Sequence, residues 1–388
     1  MMARTSRPIA LLAVSLVLIA PACLDVRART ADRSPTTGGE PLTPAPAPFT
    51  VAYLQNASAP DALELLAPAQ LAMRLAVFDA VERGELPAGS DVVAFDVGED
   101  LEQAVGIAER LRANAEVSVA VVAPLTHLPS PARDMLSDAD IPILSLSGLT
   151  GAPPEGAWLR MVASVRHEAR AVADRLDGRE PACLIHEAST AFSARALPAL
   201  ERALRRGSPA APAVIGEGGD MADALGQAEC HAVVWVGPAT GAAGLRAELD
   251  RAGLGRLPLT VLDPARTVSF LEATTSSRGR TTAVCACVDI STSAEPDAVT
   301  LLHRFQAQYG IGLGPFGVEG WDAGTLLVRA AGDRPTRPSM AAAIGSLTSF
   351  SGLGGVYAFD EDGERADAPV YLYRATGARW QLLQATWS

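Results

Sequence analysis

Residues able to do covalent or metal chemistry are sparse in this 388-residue chain. Its five histidines are His127, His167, His186, His231 and His303, and no two stand at i,i+4 spacing to seat a metal. No Gly-x-Ser-x-Gly turn lifts a nucleophile, and no Gly-x-x-x-x-Gly-Lys loop cradles phosphates. The carboxylate pairs Asp138 with Asp140 and Glu361 with Asp362 fall in turn-like stretches and read as solvated surface. Cys285 and Cys287 share one face of an apolar strand. A bond between them would be strained, and no His or Cys stands at zinc-ligand spacing, so packing is expected. The remaining chemistry lies at the ends of apolar runs: Gln55, Asn56 and Ser58; Pro124 to His127; Ser147, Gly148, Leu149 and Thr150; Ser189, Thr190 and Phe192; Pro238 and Thr240; and Asp263. Hydroxyls, amides and one acid in such places suit non-covalent capture of a small polar molecule. Their everyday alternative is capping of loops and helices. No cofactor and no metal is expected, and no enzyme.

The elements that would carry these residues follow from periodicity. Strands are expected at 49–54, 91–97, 117–123 and 141–146, with helices at 61–83, 100–114 and 129–140 between them. Asp100 or Glu99 caps the second helix. The run from Val117 to Ala123 is apolar almost throughout, as for a strand buried on both faces. The pattern then restarts. Helices are expected at 166–176, 190–206, 221–227 and 241–253, and strands at 182–187, 213–217, 231–237, 257–263 and 282–290. Alternating strands and helices with short connections form doubly wound parallel sheets, here two of them in tandem. Ligands of such sheets bind beyond the carboxyl ends of the strands. Cys183 and Cys230 begin two strands of the second sheet that would be parallel neighbours, so a Cys183–Cys230 disulfide is expected; two buried thiols are the alternative.

The N-terminus has a separate character. Arg4 and Arg7 precede an apolar run from Ile9 to Ala20, which reads as a secretory signal peptide over residues 1–22. The run is shorter than a bilayer span. Ala20-Pro21-Ala22-Cys23 resembles a lipobox, with Cys23 as the lipidated residue, and residues 23–48 form a Pro-rich tether. Ordinary cleavage near Ala22 is the alternative. The chain is therefore expected outside the cytoplasm, in the periplasm or on the outer face of a bacterial membrane. The formal net charge is −12, and losing Arg4 and Arg7 would bring it to −14. Such acidity argues against nucleic acid as a partner and against binding to anionic lipid head groups.

Several segments, taken in order, resemble the branched-chain amino acid (Leu/Ile/Val) substrate-binding proteins of ABC transporters, a type I periplasmic-binding-protein family. These are Leu71-Ala72 to Phe78-Asp79-Ala80, Glu102-Gln103-Ala104 to Leu111, Val119 to Pro124 and Ile141-Pro142-Ile143-Leu144-Ser145. Glu319-Gly320-Trp321-Asp322-Ala323 and the hairpin from Gly352 to Gly363 complete the set. The resemblance implies two α/β lobes joined by hinge crossovers. Lobe 1 would take residues 49–160 and 290–344, and lobe 2 residues 161–289 and 345–388. It also implies a solute-binding lipoprotein working as a monomer with an ABC permease. A ligand-sensing protein of the same fold, or a lobe pair that no longer transports, are the alternatives. By the family pattern Thr126, Ser147, Gly148 and Thr150 would hold a ligand carboxylate, and Asp263 its ammonium, with a turn cap as the alternative for Asp263. His127, Thr190, Phe192 and Pro238 would complete the wall. Ala123, His127 and Ser193 depart from the family pattern.

Overall fold

The computed structural model describes residues 47–59, 61–149, 156–176, 181–207, 212–216, 221–277, 279–332 and 335–387. Cys23, Thr150, the apolar leader and most of the tether lie outside the described residues. From Thr50 the chain alternates β1 (Thr50–Gln55), α1 (Ala62–Leu65), α2 (Ala67–Glu82), β2 (Asp91–Asp96), α3 (Leu101–Ala113), β3 (Val117–Val122), α4 (Ser130–Ser137), β4 (Ile143–Ser145) and β5 (Trp158–Arg160). All five strands are parallel, in the order β2-β1-β3-β4-β5. Every residue of β3 is buried, which accounts for its apolar run, and the one polar side chain, Ser118, donates its hydroxyl to the Pro335 carbonyl at 2.7 Å. Asp100 caps α3 by accepting from the Glu102 N–H. The single helix expected over 61–83 is broken at Leu66, because Pro68 opens the longer part and lacks an N–H for the preceding turn.

A second series follows: α5 (Val165–Leu176), β6 (Ala182–His186), α6 (Ala191–Gly207), β7 (Ala213–Gly216), α7 (Met221–Gln227), β8 (Ala232–Val236), α8 (Ala239–Arg251), β9 (Leu259–Val261), α9 (Val268–Ala273) and β10 (Thr281–Cys285). Its parallel strands repeat the first order as β7-β6-β8-β9-β10. The chain then returns to the first lobe through α10 (Pro296–Tyr309), α11 (Gly317–Ala331) and α12 (Arg337–Gly345). Arg304 on α10 forms a bidentate ion pair with Asp79 on α2, and the Tyr309 hydroxyl donates to the Leu71 carbonyl at 3.1 Å. A three-stranded sheet follows, β11 (Ser349–Gly352), β12 (Gly355–Phe359) and β13 (Arg365–Ala366). Finally β14 (Pro369–Thr376) and β15 (Arg379–Trp387) join β10 as antiparallel strands. The chain thus passes between the two large sheets three times, after β5, after β10 and after β13.

Two expectations need correction. Residues 345–366, assigned to lobe 2 from the resemblance, pack on lobe 1. Arg160 on β5 donates its backbone N–H to the Gly363 carbonyl at 2.8 Å and its guanidinium to both oxygens of Glu364, at 2.6 and 2.8 Å. Gly363 has φ +73°, and a Cβ there would run into the Trp158 carbonyl, so this close approach of hairpin to strand needs glycine. Second, Cys285 and Cys287 are joined by a disulfide. The strand expected over 282–290 ends at Cys285, and the two Cα atoms are 5.2 Å apart, below the ~6.6 Å of an extended i,i+2 pair. The contraction brings the sulfurs together. Cys183 and Cys230 are also disulfide-bonded, with Cα atoms 5.7 Å apart.

Candidate functional site

In the strand order shared by both sheets, the switch point lies between the first and third strands, β1 and β3 in one lobe and β6 and β8 in the other. Loops at these points bring the lobes together. The loop after β1 is tied to that after β3 by the Asn56 N–H, which donates to Thr126 Oγ1 at 3.2 Å. Asp61, at the start of α1, reaches across to lobe 2, where its Oδ2 accepts from the Ala239 N–H at 3.2 Å. Pro238 holds the N-cap position of α8 and its side chain has no acceptor, so Asp61 satisfies an amide that the helix leaves open. Glu64 accepts from the Val268 and Ser269 N–H groups at the start of α9. A third cross-lobe contact joins Arg195 on α6 to His127 Nε2. The imidazole is neutral at pH 7, its pKa pushed down to about 4 by burial and by the nearby Arg195 and Arg133.

Asp61 and Glu64 together contribute about 1 kcal/mol to holding the lobes closed. The double variant D61A/E64A is expected to shift the population toward open forms. Small-angle scattering would read this as a larger radius of gyration, and an unchanged curve would show that these carboxylates do not hold the lobes.

A cavity of about 670 Å³ lies where the lobes meet beside the first crossover. Lobe 1 contributes Gly148, Leu149 and Arg160, with Asp360, Asp362 and Glu364 from the β12–β13 turn. Lobe 2 contributes Ser164, Arg166, His167 and Arg170 at the start of α5, and Arg195 and Arg202 from α6. Gly148 packs against the crossover: a Cβ there would sit 2.8 Å from the Ala163 carbonyl, and its own carbonyl accepts from the Val165 N–H at 3.1 Å. Arg160, 3% exposed, is held by Glu364 and by the Ser147 carbonyl at 3.1 Å. The cavity therefore has a basic wall on α5 and α6 and an acidic wall on the hairpin turn. A smaller cavity of about 430 Å³ contains His127, Glu99, Arg133 and Arg195.

Of the residues expected from sequence, Gly148 and Leu149 line the larger cavity and His127 the smaller. The others have mainly structural contacts. Thr126 is 1% exposed and links the β1 and β3 loops. Ser147 is fully buried, and its hydroxyl accepts from the Leu149 N–H at 3.2 Å. Thr190 accepts from the Ser193 N–H at 3.1 Å, capping α6. Phe192 is packed in the core, and the Pro238 carbonyl accepts from the Trp235 indole at 2.9 Å. Asp263 is 3% exposed; it accepts from the Ala286 N–H at 2.9 Å and lies beside the buried carboxyl of Glu168. Its hydrogen bond runs to the crossover after β10 and not to the turn at Pro264. Asp362, read from sequence as solvated surface, lines the cavity. The arginines went unnoticed, although Arg166 with Arg170 and Arg195 with Arg202 fall on single faces of expected helices.

Three solved structures illustrate the likeness. The branched-chain amino acid transporter substrate-binding protein LivJ from Streptococcus pneumoniae, in complex with isoleucine, is 15% identical, with a TM-score of 0.70 over 88% of this chain and 99% of that one. A fatty acid ABC transporter substrate-binding protein from Thermomonospora curvata is 16% identical, with a TM-score of 0.70 over 88% and 93%. An ABC transporter substrate-binding protein from Desulfitobacterium hafniense, in complex with Leu, is 20% identical, with a TM-score of 0.64 over 87% and 99%. At these identities the likeness establishes a two-lobed type I fold. No curated protein matches by sequence. A family model described as periplasmic binding protein matches residues 48–379, and the chain belongs to that extracytoplasmic family.

Proposed function

We propose that this chain is the solute receptor of an ABC importer, capturing a small zwitterionic molecule, an amino acid or a relative, between its lobes. The observation that carries the reading is the 670 Å³ cavity at the junction of the lobes, with its basic wall on α5 and α6 and its acidic wall at Asp360 and Asp362. Guanidinium groups grip a carboxylate through paired hydrogen bonds, and the opposite wall accepts an ammonium. The volume suits a small organic ligand. Capture rather than turnover fits a family of substrate-binding proteins. Hinge closure about the three crossovers would present the loaded form to a permease, and acylation at Cys23 would keep the receptor near it.

A thermal-shift screen against amino acids, their amides and small organic acids tests this. A true ligand raises Tm by mass action, by the equivalent of about 2.7 kcal/mol at a hundred times Kd. The gain should fall at least tenfold in affinity in R195Q and in D362N, whose unliganded melts stay near that of the parent. A silent panel, or a hit untouched by either variant, would remove the cavity from consideration as an amino-acid site.

A further inference from the structure

A groove of about 350 Å³ lies along α5 and α6, next to the lobe-junction cavity, and its lining is Arg166, Arg170, Ala199, Ala203, Arg202 and Arg206. Four arginines stand over a floor of two alanine methyls, and no acid is among them. All four are exposed, and none makes an ion pair within the described residues. The nearest turn of α6 does hold an acid, Glu201, but it pairs with Arg205 away from the groove. Arg166 with Arg170 and Arg202 with Arg206 are like charges at i,i+4, an arrangement that disfavours each helix taken alone. The packing of α5 on α6 then sets the two pairs side by side. This happens in a chain with 44 acidic and 32 basic residues, where a solvated face would ordinarily mix the signs. The positive field reaches His167 on α5, whose imidazole is held below its usual value by burial and next by Arg170.

We infer that this groove, an extension of the lobe-junction cavity with which it shares Arg166, Arg170 and Arg202, takes a multivalent phosphate-type oxyanion through the forks of those three arginines and of Arg206. Guanidinium is suited to phosphate because its planar fork meets two oxygens at once. A ligand with two or more charges offsets the repulsion that the four arginines impose on one another, which a singly charged acid does not. The alanine floor leaves room for a compact anion to reach both helices. The inference goes beyond the solute reading: Arg206 lies outside the lobe-junction cavity, and Arg195 and Asp362, whose variants test the solute, lie outside the groove, so the two readings fail separately.

The full chain is titrated with inorganic pyrophosphate at low salt, followed by calorimetry and by Tm, with acetate at matched ionic strength as control. Vesicles containing phosphatidic acid form a second arm, scored by co-sedimentation. Saturable binding of pyrophosphate, weakened roughly tenfold or more in R202Q/R206Q, supports a soluble anion as ligand. Binding confined to the vesicles and lost in the same variant supports the lipid headgroup as the source of the phosphate. Both Gln substitutions are at exposed positions, and the unliganded melt of the variant shows whether it folds; if it does not, R166Q/R170Q takes its place. The inference is overturned if neither probe binds, if acetate matches pyrophosphate, or if the folded variant binds as the parent does.

Discussion

Replacing Asp322 with alanine is expected to destabilise the protein by about 3 kcal/mol. Asp322 is 1% exposed on α11, and its two oxygens hold the β11–β12 turn. Oδ1 accepts from the Leu353 N–H at 2.8 Å, and Oδ2 accepts from the Gly354 N–H and the Tyr357 hydroxyl, each at 2.7 Å. Burial pushes the carboxyl pKa up, while these three donors pull it back, so the ionised form is held by its partners. Alanine leaves two amides and a buried phenol without an acceptor. D322N should lose nearly as much, because an amide nitrogen then faces donors. Urea unfolding followed by tryptophan fluorescence measures the loss; a change below about 0.5 kcal/mol for both variants would mean that water replaces the carboxylate. The consequence reaches the site, since the next turn of the same small sheet, between β12 and β13, carries Asp360, Asp362 and Glu364 to the cavity wall.

The second large effect concerns pH. The crossover after β10 is gripped from both sides by carboxyls: Asp263 accepts from the Ala286 N–H, and Glu319 on α11 accepts from the Val288 N–H at 2.8 Å. Arg266 reaches the same segment through Asp289 at 2.8 Å. Burial pushes Glu319 up to about 7, partly opposed by its backbone donor. A carboxyl raised in the folded state binds more protons folded than unfolded between the two pKa values, so stability falls as pH rises through that window. For Glu319 the window runs from about 4.5 to about 7, and the cost accumulated across it is on the order of 3 kcal/mol. His127, pushed down to about 4, acts in the opposite sense up to its ordinary value of 6.5, so the carboxyl effect is read above that: the protein should unfold at lower urea at pH 8 than at pH 6.5. E319Q should lose much of that difference while Asp263 and Glu168, also raised by burial, keep the rest. If E319Q retained the parental difference in full, the Glu319 proton would not be its source. Because the crossover is a hinge between lobes, the same proton bears on how readily they move.

Local pattern alone determined the two doubly wound sheets. Apolar runs such as Val117 to Val122 report burial on both faces, Asp100 marks its helix start, and the restart after Arg160 separates the lobes. These features need only neighbouring residues, because strand burial and helix capping are decided within a few positions. Tertiary structure alone decided the site. Asp61 caps α8 from 178 positions away, Arg160 meets Glu364 across 204, and the arginines of α5 face those of α6 only once the helices pack. The placement of the β11–β13 sheet on lobe 1 was likewise settled by the Arg160–Gly363 contact, not by anything in the hairpin's own residues. Hydroxyls and acids at strand ends look alike in sequence whether they cap a helix, as Thr190 does, or line a cavity, as Asp362 does. Periodicity records which face of an element is buried; which polar groups then meet depends on chain crossings that no local pattern encodes.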